Sequence, residues 1–124
     1  MLINSDFVNE VCMWNEERDN LHYNNSLEYS MLDEEVEEYY AASMVQSEVG
    51  QADALADIAV VAIGGLFKLC KGDLQKVHDI LIAVTAANNS KSSTKNSEGK
   101  ITKPKDFVGP EVMINKILGK YSEG

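Results

Sequence analysis

Apolar residues recur along this chain at intervals of three and four, the pattern of helices that each turn one face inward. Phe7, Val11 and Trp14, with Val8 beside them, predict a first helix from Ser5, a suitable N-cap, to Leu21. A second is expected after Asn24-Asn25-Ser26, where Asn25 and Glu28 have capping-box spacing, and continues to Gln46. Ser47-Glu48-Val49-Gly50 reads as a turn. A third helix spans Gln51 to Leu69 and is ended by Gly72, after which Asp73 caps a fourth that runs to Asn88. Residues 92–109 hold no periodic core and read as a Lys-rich loop with a tight turn at Glu98-Gly99. Pro110 opens a short last helix bearing Val112, Met113, Ile114, Ile117 and Leu118. The expectation is an all-α single domain over residues 1–124, a four-helix, up-down bundle-like protomer with a C-terminal loop and a short terminal helix.

The third helix is apolar around most of its circumference after Asp57. One small protomer can hardly cover it, which predicts a dimer or a tetramer. Gly64-Gly65 within it suits a close helix crossing or a kink. On the fourth helix Leu74, Val77, Leu81 and Val84 form the inward stripe, and the same spacing carries on to Asn88 and Lys91. That apolar face therefore hands over to an amide and an ammonium.

Carboxylates interrupt the pattern where it should be apolar. Leu27, Met31, Glu34, Glu38, Ala42 and Val45 share one stripe of the second helix, so Glu34 and Glu38 are expected to face inward, with Glu35 beside them. Asp33 and Glu37 lie off the stripe and read as solvent-facing charge. Asp53 and Asp57 repeat the pattern on the third helix. Asp53 is favoured there by its place near a helix N-terminus, whereas Asp57 precedes ten residues without charge. Unpaired carboxylates cost several kcal/mol each to bury unless a cation or proton neutralises them. A hard cation such as magnesium, which prefers oxygen ligands, resolves the conflict and points to phosphate chemistry. The alternatives are an acidic solvated face for the Glu set and a hydrogen-bonded buried carboxyl for Asp57.

Charge supports a division of labour. The net charge of −9 combines −13 over residues 1–57, where Arg18 is the one cation, with +4 over residues 58–124. The acidic front half argues against nucleic-acid binding. The lysines at 91, 95, 100, 103 and 105 would suit the phosphates of a nucleotide, or else a solvated loop. Cys12 and Cys70 have no metal-ligand spacing and read as reduced core residues, and no apolar run is long enough to span a bilayer. A cytoplasmic protein is expected. A di-iron bundle would want two Glu-x-x-His motifs, but Asp19 and Gln75 stand three residues before His22 and His78.

Together these residues resemble a known group. Glu34-Glu35-x-x-Glu38 followed by Asp53-Ala54-Leu55-Ala56-Asp57-Ile58 is similar to the all-α nucleotide pyrophosphohydrolases of the MazG and dimeric dUTPase superfamily. Within it the likeness is to the phosphoribosyl-ATP pyrophosphohydrolase-like branch, through Asn88-Asn89-Ser90-Lys91, Gly99-Lys100 and Pro110-Glu111. Two positions depart from the pattern: Ala54 stands where many relatives have Glu, so that Asp53 would serve instead, and Asn89 stands where the branch often has Met. The resemblance implies a homo-oligomer holding magnesium, or manganese, through Glu34, Glu35, Glu38, Asp53 and Asp57. It implies hydrolysis of a nucleoside triphosphate or related nucleotide to monophosphate and pyrophosphate. Glu34 or Glu35 would take the proton of the attacking water, Lys91, Lys100 and Lys103 would steady phosphates, and Asn88 would orient phosphate or sugar. The competing expectation is a catalytically inactive helical module that binds nucleotide or metal.

Overall fold

The computed structural model describes residues 6–119. The fold is all-α: α1 (Asp6–Glu17), α2 (Asn25–Met44), α3 (Glu48–Leu69), α4 (Leu74–Asn89) and α5 (Glu111–Leu118). Among the described residues the extended pairing is a single antiparallel bridge between Lys95 and Ile101. Internal contacts group into two compact units, one ending at Leu74 and one beginning at Gln75.

Helix ends follow local hydrogen bonding. The expected Ser5 cap lies outside the described residues. Helix α1 stops at Glu17, short of the expected Leu21, because Asn20 N–H donates to the Asn15 carbonyl at 2.8 Å and closes the helix end. Asn24, one residue before the expected cap, accepts from Leu27 N–H at 3.0 Å and starts α2. Ser47 accepts from Gly50 N–H at 3.0 Å, so the stretch read as a turn is already the first turn of α3. The hydroxyl of Ser47 satisfies an amide that the helix leaves without an internal partner.

In the first unit α2 and α3 form an antiparallel hairpin. Glu28 meets Lys68, Glu35 meets Asp57, and Ala42 lies against Gly50. Helix α1 runs parallel to α3: Val11 and Trp14 lie near Val60, Asn15 near Gly64 and Leu21 near Gly72. A Cβ at Gly64 would stand 3.3 Å from Asn15 Nδ2, so the glycine admits α1 closely, and α3 continues through Gly64-Gly65 without a break. Asn15 is buried but satisfied, donating to the Val11 carbonyl at 2.8 Å and accepting from Asn20 Nδ2 at 2.7 Å. Val11, Cys12, Ala54, Phe67 and Cys70 form the buried core of this unit.

The inward face of α2 differs from the expected one. Leu27 is 52% exposed and Val45 74% exposed, whereas Glu28 is 7% exposed. Met31, Leu32, Glu35, Tyr39, Ala42 and Ser43 are half-buried and continue the Glu28 face, while Glu34 and Glu38 are exposed. The helix is thus rotated by about one residue from the stripe drawn through Leu27 and Glu34. Its acidic residues are spread so evenly that hydrophobic periodicity selects no face.

The second unit contains α4 beyond its first residue, the loop and α5. Val77 and Ile80 are its buried apolar residues, so Ile80 takes the place expected for Leu81, and Val84 is exposed. In the loop Asn96 N–H donates to the Lys100 carbonyl, Gly99 N–H donates to the Asn96 carbonyl, and the Asn96 side chain accepts from Glu98 and Lys100 N–H. The turn expected at Glu98-Gly99 is present. Pro110 precedes α5, and Gly119, in the left-handed region at φ 71°, closes it.

Candidate functional site

Two adjacent turns of α2 and one of α3 bring three carboxylates together. Oxygens of Glu35, Glu38 and Asp57 all lie within 4.8 Å of one another. Glu35 and Glu38 are three residues apart and so neighbours on the helix surface, and the antiparallel hairpin carries Asp57 to face them. Glu35 and Asp57 are half-buried, whereas Glu38 is exposed.

Glu35 is the electrostatic centre of this trio. Burial, then the charge of Glu38 and a hydrogen bond with it, and then the charges of Asp57 and Glu34 hold its carboxyl above the ordinary carboxylate range. Its Oε2 is buried with no hydrogen-bond partner. A buried acceptor without a donor, ringed by like charges, is unfavourable unless a proton or cation supplies the missing partner.

The donor set fits a small hard dication. All three residues offer oxygen, and oxygens on opposite sides of one magnesium ion lie about 4 Å apart. Glu35, Glu38 and Asp57 would therefore hold the ion. Glu34 and Asp53, also expected as ligands, stand exposed outside the trio. Glu34 still acts on the site through its charge on Glu35.

The expected phosphate-handling residues belong to the second unit. Lys91 Nζ lies 6.0 Å and Lys103 Nζ 5.2 Å from the centre of the Phe107 ring, so one aromatic ring gathers two of the four. Asn88 is exposed on the last turn of α4, and Lys100 is exposed in the loop turn. Beside them a cleft of about 460 Å³ is lined by Ala83, Ala87, Phe107 and Met113 among others. Phe107 was not among the expected site residues, since a lone aromatic in a polar loop has no periodic partner to mark it.

A second unforeseen feature is the ion pair of Glu28 and Lys68. Lys68 Nζ donates to Glu28 Oε2 at 3.0 Å, and both side chains are buried. The capping-box spacing offered a local role for Glu28, and only the meeting of two helices reveals its partner. The cysteines are as expected: neither Cys12 nor Cys70 forms a disulfide, and burial followed by the nearby Cys70 raises the Cys12 thiol to about 11.

A comparison with protein-family models finds no match, and a comparison with curated proteins finds no significant one. Among the described residues no helix is long and apolar enough to cross a membrane.

Proposed function

We propose that this protein is a magnesium-dependent nucleoside triphosphate pyrophosphohydrolase of the MazG-like, phosphoribosyl-ATP pyrophosphohydrolase-like kind. It would cleave a ribo- or deoxyribonucleotide between the α and β phosphates to give monophosphate and pyrophosphate. The observation that carries this reading is the convergence of Glu35, Glu38 and Asp57 around a buried, unpartnered carboxylate oxygen. Magnesium, or manganese in its place, neutralises phosphate charge and lowers the pKa of water when bound. Glu35, Glu38 and Asp57 would hold it, with Asp53, four residues before Asp57, as the further carboxylate that the family resemblance implies. Glu34, exposed beside the trio, accepts the proton of the attacking water. Lys91 and Lys103 with Lys100 steady the departing pyrophosphate, and Asn88 orients phosphate or sugar. These four assignments rest on charge and on the order of motifs along the chain.

Assembly of the protomers into a homodimer or tetramer would cover the apolar surface that one copy leaves exposed. Leu55 and Val60 on α3 and Tyr40 and Met44 on α2 are exposed apolar residues of the kind that such an interface covers. Buried cysteines held as thiols suit the reducing cytoplasm, and the negative charge of the first 57 residues argues against a nucleic-acid partner.

The test is to incubate the protein with each common nucleoside triphosphate and magnesium, and to assay pyrophosphate and orthophosphate separately. Pyrophosphate is expected. Orthophosphate alone excludes α–β cleavage. Tight nucleotide binding without turnover selects the inactive binding module, a reading favoured by Asp53 being exposed and not one of the three converging carboxylates.

A further inference from the structure

Glu28 carries a second buried atom that its ion pair leaves unused. Oε2 accepts from Lys68, but Oε1 is buried with no hydrogen-bond partner. Glu28 also lines a cleft of about 440 Å³ between α2 and α3, walled by Tyr23, Tyr29, Leu32 and Val61 and floored in part by Gly65. A Cβ at Gly65 would stand 3.3 Å from Glu28 Oε1, so the missing side chain leaves space beside that oxygen. A carboxylate oxygen withdrawn from solvent without a donor, on a residue that lines an apolar cleft of small-molecule size, is an acceptor that a ligand's donor would satisfy.

The chemistry of the donor follows from its neighbours. Lys68 already neutralises Glu28, so a cationic ligand gains little, and an anionic one would meet the carboxylate oxygen. The aromatic and aliphatic walls suit a flat ring. What remains is a neutral planar group bearing N–H. The cleft also adjoins the acidic trio: Leu32 stands one turn before Glu35, and Val61 one turn after Asp57. Glu28 and Glu35 lie two turns apart on one face of α2, about 10 Å along the axis. A nucleotide bridges a separation of that order between its phosphates and its base.

We infer that the Glu28 cleft is the base pocket of the hydrolase proposed above, and that Glu28 Oε1 accepts a hydrogen bond from the exocyclic amino group of the base. This inference rests on the nucleotide reading and makes it more specific. An exocyclic amino group projects clear of the ring, as in cytosine and adenine. The N3–H of uracil or thymine is flanked by two carbonyl oxygens that would face the carboxylate, so those bases are disfavoured.

The experiment is an NMR titration of the full-length, metal-free protein with cytidine, adenosine, uridine and thymidine. Cytidine and adenosine are expected to bind roughly tenfold or more tighter than uridine and thymidine, shifting the amides of α2 and α3 around Glu28 and Gly65. Gly65→Ala fills the space at Oε1 and keeps a better helix former in α3, so it should remain folded and lose that binding. The double variant Glu28→Leu/Lys68→Met removes the acceptor without stranding a charge and should lose the preference for amino-bearing bases. Equal affinity for all four nucleosides, no saturable binding, or unchanged selectivity in both folded variants overturns the inference. Pyrophosphate release is measured separately with magnesium. Turnover without base selectivity removes the cleft alone, whereas selective metal-free binding without turnover removes the hydrolase and leaves the cleft.

Discussion

Lys68 Nζ sits 3.0 Å from Glu28 Oε2 across 40 residues of chain, with both side chains almost wholly withdrawn from solvent. The pair joins the first turn of α2 to the last of α3 and so fixes how α2 is turned about its own axis. Seven residues are close to two helical turns. Once Glu28 faces α3, Glu35 must face it too, and the acidic trio inherits its orientation from this contact.

Breaking that pair on one side should cost far more than replacing both sides. Lys68→Met or Glu28→Leu alone strands a buried charge and should lower stability by about 3–5 kcal/mol. The double variant should be close to neutral or more stable. Urea unfolding followed by circular dichroism measures all three, and a double variant as unstable as either single would show that the pair does not anchor the hairpin.

Asp57→Asn should abolish pyrophosphate release while leaving the metal-free protein as stable as wild type or more so, because it removes one of the like charges acting on Glu35. Thermal melts and the pyrophosphate assay check the two halves separately. Full activity in this variant would remove Asp57 from the site.

The raised carboxyl of Glu35 gives a pH dependence with a definite sign. Its folded pKa lies above the ordinary value of 4.5, so the folded chain binds more protons than the unfolded chain just above that value. Its contribution to the stability of the metal-free protein is present below about pH 4.5 and is lost as pH rises through the folded pKa. Magnesium competes with the same proton. The rise in melting temperature on adding magnesium should therefore be larger at neutral pH than at pH 5, and Glu35→Gln should abolish that difference.

Cys12 supplies an independent alkaline signature. Its thiol ionises near 9.0 when unfolded and near 11 when folded, so its contribution to stability is complete below 9.0 and lost as pH rises through about 11. The urea midpoint of the wild type should fall across that range more steeply than that of Cys12→Ala. Native Cys12 should also alkylate slowly at pH 8, since the reactive thiolate is scarce.

Lys91→Ala should raise the Michaelis constant for nucleotide roughly tenfold, the worth of one charge-assisted hydrogen bond, with a smaller effect on turnover. Phe107→Ala, which removes the ring beneath Lys91 and Lys103, should act in the same direction more weakly. Steady-state kinetics distinguish the two, and unchanged constants in Lys91→Ala return that residue to a solvated surface role.

Much of this was legible in the chain itself. Periodicity and turn residues gave five helices in the right order, the stop at Gly72, the loop turn at Glu98-Gly99, and the segments in which Glu35, Glu38 and Asp57 would be found. Those are local matters, settled by hydrogen bonds and side-chain spacing within a few residues. Which face of α2 turns inward was not local. Acidic and apolar residues alternate around that helix too evenly to select a side, so the choice fell to Lys68, forty residues away, and to the glycine beside it. A buried charge must meet its counter-charge, and that requirement, absent from any single helix, put Glu28 and Glu35 inside and left Leu27 and Glu34 in water.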